Sequence, residues 1–202
     1  MMSECIAVMA VVLLAFAIPV AADPPDSEQS FRWESLLPDP DLDGWHESGA
    51  PWSTGTWLRE GKTVTGQKSD DGKARITQGD STWKNYLLSV NATPIEGQLQ
   101  IHFRMSNDGK SFYMLDFWTP HSVAISMRGP DGIVWLDVVE YPTEIGREYE
   151  IVIAARGRSL TSYIDGKLVN RVTDDTFSSG GIGFNLWHGA SARFRNPRIR
   201  RY

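Results

Sequence analysis

Between Gly97 and Arg128 the chain alternates apolar and polar side chains strictly enough to demand a meander of antiparallel strands. In QLQIHFRM, Leu99, Ile101, Phe103 and Met105 fall on one side, and Gln98, Gln100, His102 and Arg104 on the other. That period of two belongs to a strand with one buried face. The loop SNDGK supplies residues that tolerate positive φ in a hairpin, and SFYMLDFW, TP and HSVAISMR follow. The first hairpin sets Leu99 against Phe117, Ile101 against Leu115 and Phe103 against Tyr113. The second sets Phe117 against Val123, Leu115 against Ile125 and Tyr113 against Met127. A slip of one residue in either would mix the two faces. The expected outer face then carries Gln100, His102, Arg104, Met114, Asp116, Trp118, Ser126 and Arg128.

The rest of the chain follows the same idiom. From Phe31 onward no amphipathic stretch of helical period exceeds two turns, and short strand-like runs recur about every ten residues between Gly, Pro, Asn and Asp clusters. Four of these runs, at 84–93, 97–105, 181–187 and 191–201, are read as separate strands. In GGIGFNLW, Phe184 and Leu186 are expected to point inward, and Asn185 and Trp187 outward. RGPDGI and YIDGKL repeat the Asp-Gly hairpin signal. Many short strands without helices imply an all-β fold, a two-sheet antiparallel β-sandwich or jelly roll.

Ahead of this domain, residues 1–22 read as a signal peptide: an apolar run from Ile6 ends at Val20-Ala21-Ala22, the small residues that signal peptidase reads. Residues 23–30 form a polar, Pro-containing linker, and 31–202 a single domain. The one cysteine, Cys5, lies in the leader, so the mature chain has no disulfide and no thiolate chemistry. Losing Glu4 with the leader changes the net charge from −5 to −4, which argues against nucleic acid, or a membrane surface after leader removal, as the partner. The expected location is secreted or periplasmic. Nothing in these patterns speaks to oligomeric state.

The segments DLDGW, WLREGKTVTG, GDSTWKNYLLSV, GREYEIVIAARGRSLTSYIDGKLV, FSSGGIGFNLW and ARFRNPRI occur in that order from Asp43 to the C-terminus. In order and spacing they resemble the concanavalin A-like jelly rolls of laminin G type, the lectin and glucanase sandwich. Within these they are most similar to the 3-keto-disaccharide hydrolase domain family. The resemblance implies a jelly roll and an activity on oxidised disaccharides. The meander departs from that family, since QIHFRMSNDGKSFYMLDFW lacks its Asn-Ser-Gly motif.

The polar meander face is the candidate site. Sugars are recognised by planar hydrogen-bonding groups for their hydroxyls and an aromatic plate for their C–H faces. Gln100, Trp118, Arg128, Asn185, Trp187 and His188 are the expected substrate-binding set on a concave sheet. His102, Arg104 and Asp116 are the candidate catalytic set. The glucanase string Glu-x-Asp-x-x-Glu is absent, and Asp137 and Glu140 of DVVEY fall on opposite strand faces, so a two-carboxylate glycosidase is disfavoured. A keto-sugar needs only one base and an electrophile, with His102 as base and Arg104 or Arg128 at the developing oxyanion. No His pair among 46, 102, 121 and 188 has zinc-site spacing. The residues specify no cofactor, and calcium or another divalent metal on Asp108, Asp174 or Asp175 is left open. Trp45, Trp52 and Trp57 are read as core or as one wall of the groove, and Trp33, Trp83 and Trp135 as core. Three functions follow: a glycan-binding domain, a 3-keto-glycoside hydrolase or lyase, and a structural domain that binds another protein.

Overall fold

The computed structural model describes residues 32–38, 40–47, 53–67 and 73–202. The expected leader, the linker and Trp52 lie outside these residues. Thirteen strands run through them: β1 Glu34–Ser35, β2 His46–Glu47, β3 Thr56–Glu60, β4 Thr63–Gln67, β5 Ala74–Gln78, β6 Tyr86–Met105 and β7 Phe112–Trp118, then β8 Ser122–Gly129, β9 Gly132–Glu140, β10 Tyr149–Arg156, β11 Ser159–Ile164, β12 Lys167–Thr173 and β13 Gly181–Arg201. All ladders between them are antiparallel.

Two long strands serve both layers of the sandwich. The first half of β6 pairs with β10 and its second half with β7. β13 lies along the other edge of β6 throughout, its first half also pairing with β5 and its second with β4. One layer is therefore β12-β11-β10-β6-β13-β4-β3, and the other β9-β8-β7-β6-β13-β5-β2. The runs 84–93 and 97–105, and likewise 181–187 and 191–201, are not separate strands but halves of continuous ones. Pro94 and Gly97 look like a break because proline gives no ladder donor and glycine is turn-prone. Pro94 nonetheless pairs with Ala192. At Gly97 (φ +65°) a Cβ would sit 3.0 Å from Ala190, so glycine lets the two strands stay close where they pass between layers.

The meander registers are those expected. Leu99 opposes Phe117, Ile101 Leu115 and Phe103 Tyr113, while Phe117 opposes Val123, Leu115 Ile125 and Tyr113 Met127. All but Met127 are buried in the central core. Phe184 and Leu186 join them, Phe184 stacking on Phe194 at 4.2 Å and on Trp45 at 5.0 Å. Burying each such ring stabilises the fold by roughly 1.5–3 kcal/mol. Trp45 and Trp57 are core residues, which removes them from any groove wall. Trp33 and Trp135 are the reverse case: expected in the core, they are 36 % and 45 % exposed. GIVWLDVVE is apolar at so many successive positions that it carries no readable phase, and a bulge between Ile125 and Ser126 resets the register of β9.

Candidate functional site

The outer face of β6, β7, β8 and β13 holds a hydrogen-bonded network rather than a row of solvated side chains. Asp116 is its hub. Gln98 Nε2 and Gln100 Nε2 donate to Asp116 Oδ1 at 3.1 and 2.5 Å, and Ser126 Oγ donates to Oδ2 at 2.5 Å. Gln100 Oε1 in turn accepts from Asn185 Nδ2 at 2.6 Å and faces His102 Nε2 at 3.4 Å. Gln100, His102, Asp116, Ser126 and Asn185 are all buried, which corrects the expectation of an open polar face. The register puts them together: Gln100 lies opposite Asp116 on β7 and Asn185 on β13.

The network assigns a tautomer. An ionised carboxylate only accepts, so Asp116 takes the amide NH2 of Gln100 and turns its oxygen toward His102. His102 must then carry its proton on Nε2, leaving Nδ1 as a bare acceptor. Nδ1 is buried and has no hydrogen-bond partner among the described residues. His102 also stacks on Phe112 at 4.0 Å. Burial, and then the charges of Arg75, Arg128 and Lys73, hold its pKa well below the usual imidazole range, so the ring is neutral at pH 7. Burial raises the Asp116 pKa against the pull of its three donors.

Two hollows meet on this face. A small cavity of about 50 Å³ is lined by Lys73, Gln100, His102, Phe112, Met114, Arg128, Ile133, Asn185 and Trp187. Beside it, a hollow of about 410 Å³ is lined by Gly97, Gln98, Trp118, Thr119, His121 and Trp187. Trp187 is shared by both, and Lys73 Nζ sits 3.1 Å from its ring centroid. Trp118, 43 % exposed, meets Trp135 edge-on at 5.2 Å. Polar floor, cationic corner and aromatic wall thus form one groove.

Of the expected site residues, the structure brings together Gln100, His102, Asp116, Trp118, Arg128, Asn185 and Trp187. Arg104 does not join them. Its φ of +47° interrupts the alternation of β6, and its guanidinium donates to the carbonyls of Lys84 and Phe177 at 3.1–3.2 Å. The side chain of His188 falls outside the described residues. Asp108 accepts from Ser106 and from Lys110 N, Asp174 from Tyr113 and Thr176 N, and Asp175 pairs with Arg158. Among the described residues no three His, Cys, Asp or Glu side chains converge as a metal site.

Sequence reasoning missed Lys73, Arg75, Phe112, Ile133 and His121. For Arg75 a signal exists, since Ala74 and Ile76 alternate with it in KARIT. It becomes useful only once β5 is known to lie beside β13, where Arg75 opposes Asn185.

This fold and groove define a two-layer jelly-roll domain. The chain belongs to the 3-keto-alpha-glucoside-1,2-lyase-like domain family, whose pattern it matches over residues 32–200. It is 27 % identical over 154 residues to a levanase of Bacillus subtilis (strain 168), covering 72 % of this chain and 22 % of the levanase. It is 28 % identical over 139 residues to an extracellular exo-alpha-L-arabinofuranosidase of Streptomyces chartreusis, covering 67 % of this chain and 16 % of that enzyme. The chain therefore spans less than a quarter of either relative. Among solved structures, the carbohydrate-binding module CBM66 from Bacillus subtilis has the same fold, with a TM-score of 0.67 at 24 % identity over 78 % of this chain and 95 % of that one. A Bacillus subtilis protein with a galectin-like fold gives 0.68 at 12 % identity over 84 % of this chain and 94 % of that one.

Proposed function

We propose that this protein is an exported carbohydrate-binding domain whose groove lies on the outer face of β5, β13, β6, β7 and β8. The observation that carries this reading is the union of a floor of amides, Gln98, Gln100 and Asn185, held from behind by Asp116, with the Trp118–Trp187 wall. Planar donors and acceptors fix sugar hydroxyls, and an aromatic face takes the C–H side of the ring. The two sugar-cleaving relatives and the carbohydrate-binding fold neighbour support it, and the extracellular relative supports export.

Levan and arabinan are the probes for affinity electrophoresis. Trp118→Ala and Trp187→Ala should each weaken retention tenfold to a hundredfold, the equivalent of roughly 1.5–3 kcal/mol of buried aromatic surface. Trp118 is exposed enough that its variant should keep the wild-type melting temperature. Unchanged retention in both variants would remove the wall from the site.

A second reading, elimination from a 3-keto-α-glucoside, is favoured by the neutral His102, which lines the cavity and has a buried Nδ1 without a partner among the described residues, and by the family. The C3 carbonyl acidifies the C2 proton. His102 takes that proton, the electron pair forms the C1=C2 bond, the C1–O bond breaks, and the aglycone oxygen leaves as the alcohol with a proton from water, the resulting hydroxide discharging the His102 imidazolium. Arg128 stands nearest the role of stabilising the enolate oxygen. Incubation with a 3-keto-α-glucoside, followed by NMR, decides between the readings. Turnover that disappears in His102→Ala identifies a lyase, while retention of sugar without turnover leaves the binding domain.

A further inference from the structure

The two hollows differ in size and in charge, and the difference specifies a ligand. The larger, walled by Trp118 and Trp187, is about 410 Å³ and is lined by no Lys, Arg, Asp or Glu among the described residues. The smaller is about 50 Å³, space for one or two waters and too little for a sugar ring. Lys73 and Arg128 line it, and among the described residues no carboxylate does. Arg75 stands close by on β5, its Nη1 donating to the carbonyl of Gly109 at 2.9 Å. Asp116, an acid on the same face, is enclosed by Gln98, Gln100 and Ser126.

We propose that the groove takes an acidic sugar, its ring on the Trp118–Trp187 wall and its exocyclic carboxylate in the small cavity between Lys73 and Arg128. This rests on the carbohydrate-binding reading and adds to it the class of sugar. The remaining cavity groups suit a uronic acid. His102 lines the cavity, and its Nδ1, a buried acceptor with no partner among the described residues, would receive the hydroxyl next to the carboxylate. Arg128 delivers the planar fork that a carboxylate matches. Burial, and then the charges of Arg128 and Arg75, bring the Lys73 pKa down to about 8. Lys73 is still protonated at neutral pH, and a bound anion relieves the mutual repulsion.

Calorimetry at pH 7 with methyl α-D-glucuronide, methyl α-D-galacturonide, their neutral glucoside and galactoside counterparts, glucose 6-phosphate and sodium acetate tests this. At least one uronide should bind ten times or more tighter than its neutral counterpart, with an affinity that falls as salt is raised. In Arg128→Gln, on an exposed side chain, that uronide-to-neutral ratio should collapse by tenfold or more. Equal affinity for uronide and neutral sugar, both lost in Trp187→Ala, would overturn the acidic class and keep the carbohydrate reading. Acetate as tight as the uronides would show an anion hole unrelated to sugar and overturn the proposal. So would glucose 6-phosphate binding tighter than both uronides, by replacing the carboxylate with a phosphate. Binding of none of these probes would overturn the acidic class, and with levan and arabinan also unretained it would overturn the reading beneath it.

Discussion

Replacing Arg104 with alanine should lower the melting temperature by roughly 6–12 °C while leaving the groove's ligand affinity, per folded molecule, within twofold of wild type. Arg104 is only 1 % exposed. Its Nε and Nη2 share the Lys84 carbonyl, and its Nη1 holds that of Phe177. Its own backbone N–H donates to Tyr86 Oη at 2.7 Å. The side chain thus laces the end of β6 to the segment before β13. Hydrogen bonds to a charged group contribute roughly 1.5–3 kcal/mol each, and the alanine variant would leave two carbonyls without those donors. Ending the burial of a cation offsets part of that loss, for a net cost of about 3 kcal/mol. A domain of this size loses about 2–4 °C per kcal/mol. Arg104→Lys should recover little, because an ammonium cannot span two carbonyls as the guanidinium fork does. Thermal unfolding paired with affinity electrophoresis on levan checks both halves. A variant that melts normally but loses its ligand would return Arg104 to the site.

Arg104 also marks the limit of what alternation can reveal. Periodicity placed it beside His102 on the outer face, and for Leu99 to Phe103 that logic matches the structure. A non-glycine residue at φ +47° has no sequence signature, so the turn of one side chain out of the pattern is invisible in QLQIHFRM. The meander was legible because each of its strands has one dry face, which ties register to composition. β9 was not, since its run is apolar on both sides. Lys73 and Arg75 are separated from the meander by more than twenty residues. Only the pairing of β5 with β13 brings them to His102, and that is long-range topology. The buried state of the network is likewise a property of neighbours: an alternating Gln, His and Asp reads the same whether water or Phe112 and Met114 lie beside it.

Asp116 should separate charge from hydrogen bonding. In Asp116→Ala, Gln100 Nε2 and Ser126 Oγ lose their acceptor in a buried position and half-buried Gln98 loses its own, at roughly 1–3 kcal/mol for each buried group. The expected cost is about 3 kcal/mol. Asp116→Asn keeps an oxygen for the two glutamines and offers an NH2 to Ser126, so it should be as stable as wild type at pH 7 or more so. The sign follows from the raised pKa of Asp116. A carboxyl whose folded pKa exceeds its unfolded value contributes stability below the unfolded value and loses it as pH rises through the folded one. The stability of the Asn variant relative to wild type should therefore increase from about pH 4 toward pH 7, as seen by denaturant titration at each pH. Function should move the other way. An amide can present either end to Gln100, so Gln100 is no longer held with its oxygen toward His102, and the Nε2–H tautomer loses its support. Long-range ¹H–¹⁵N spectra should show His102 as a single Nε2–H form in the wild type and as a tautomer mixture in the Asn variant, with weaker sugar retention despite an intact fold. If Asn destabilises as much as Ala, the negative charge itself holds β6, β7 and β8 together, and the tautomer argument loses its foundation.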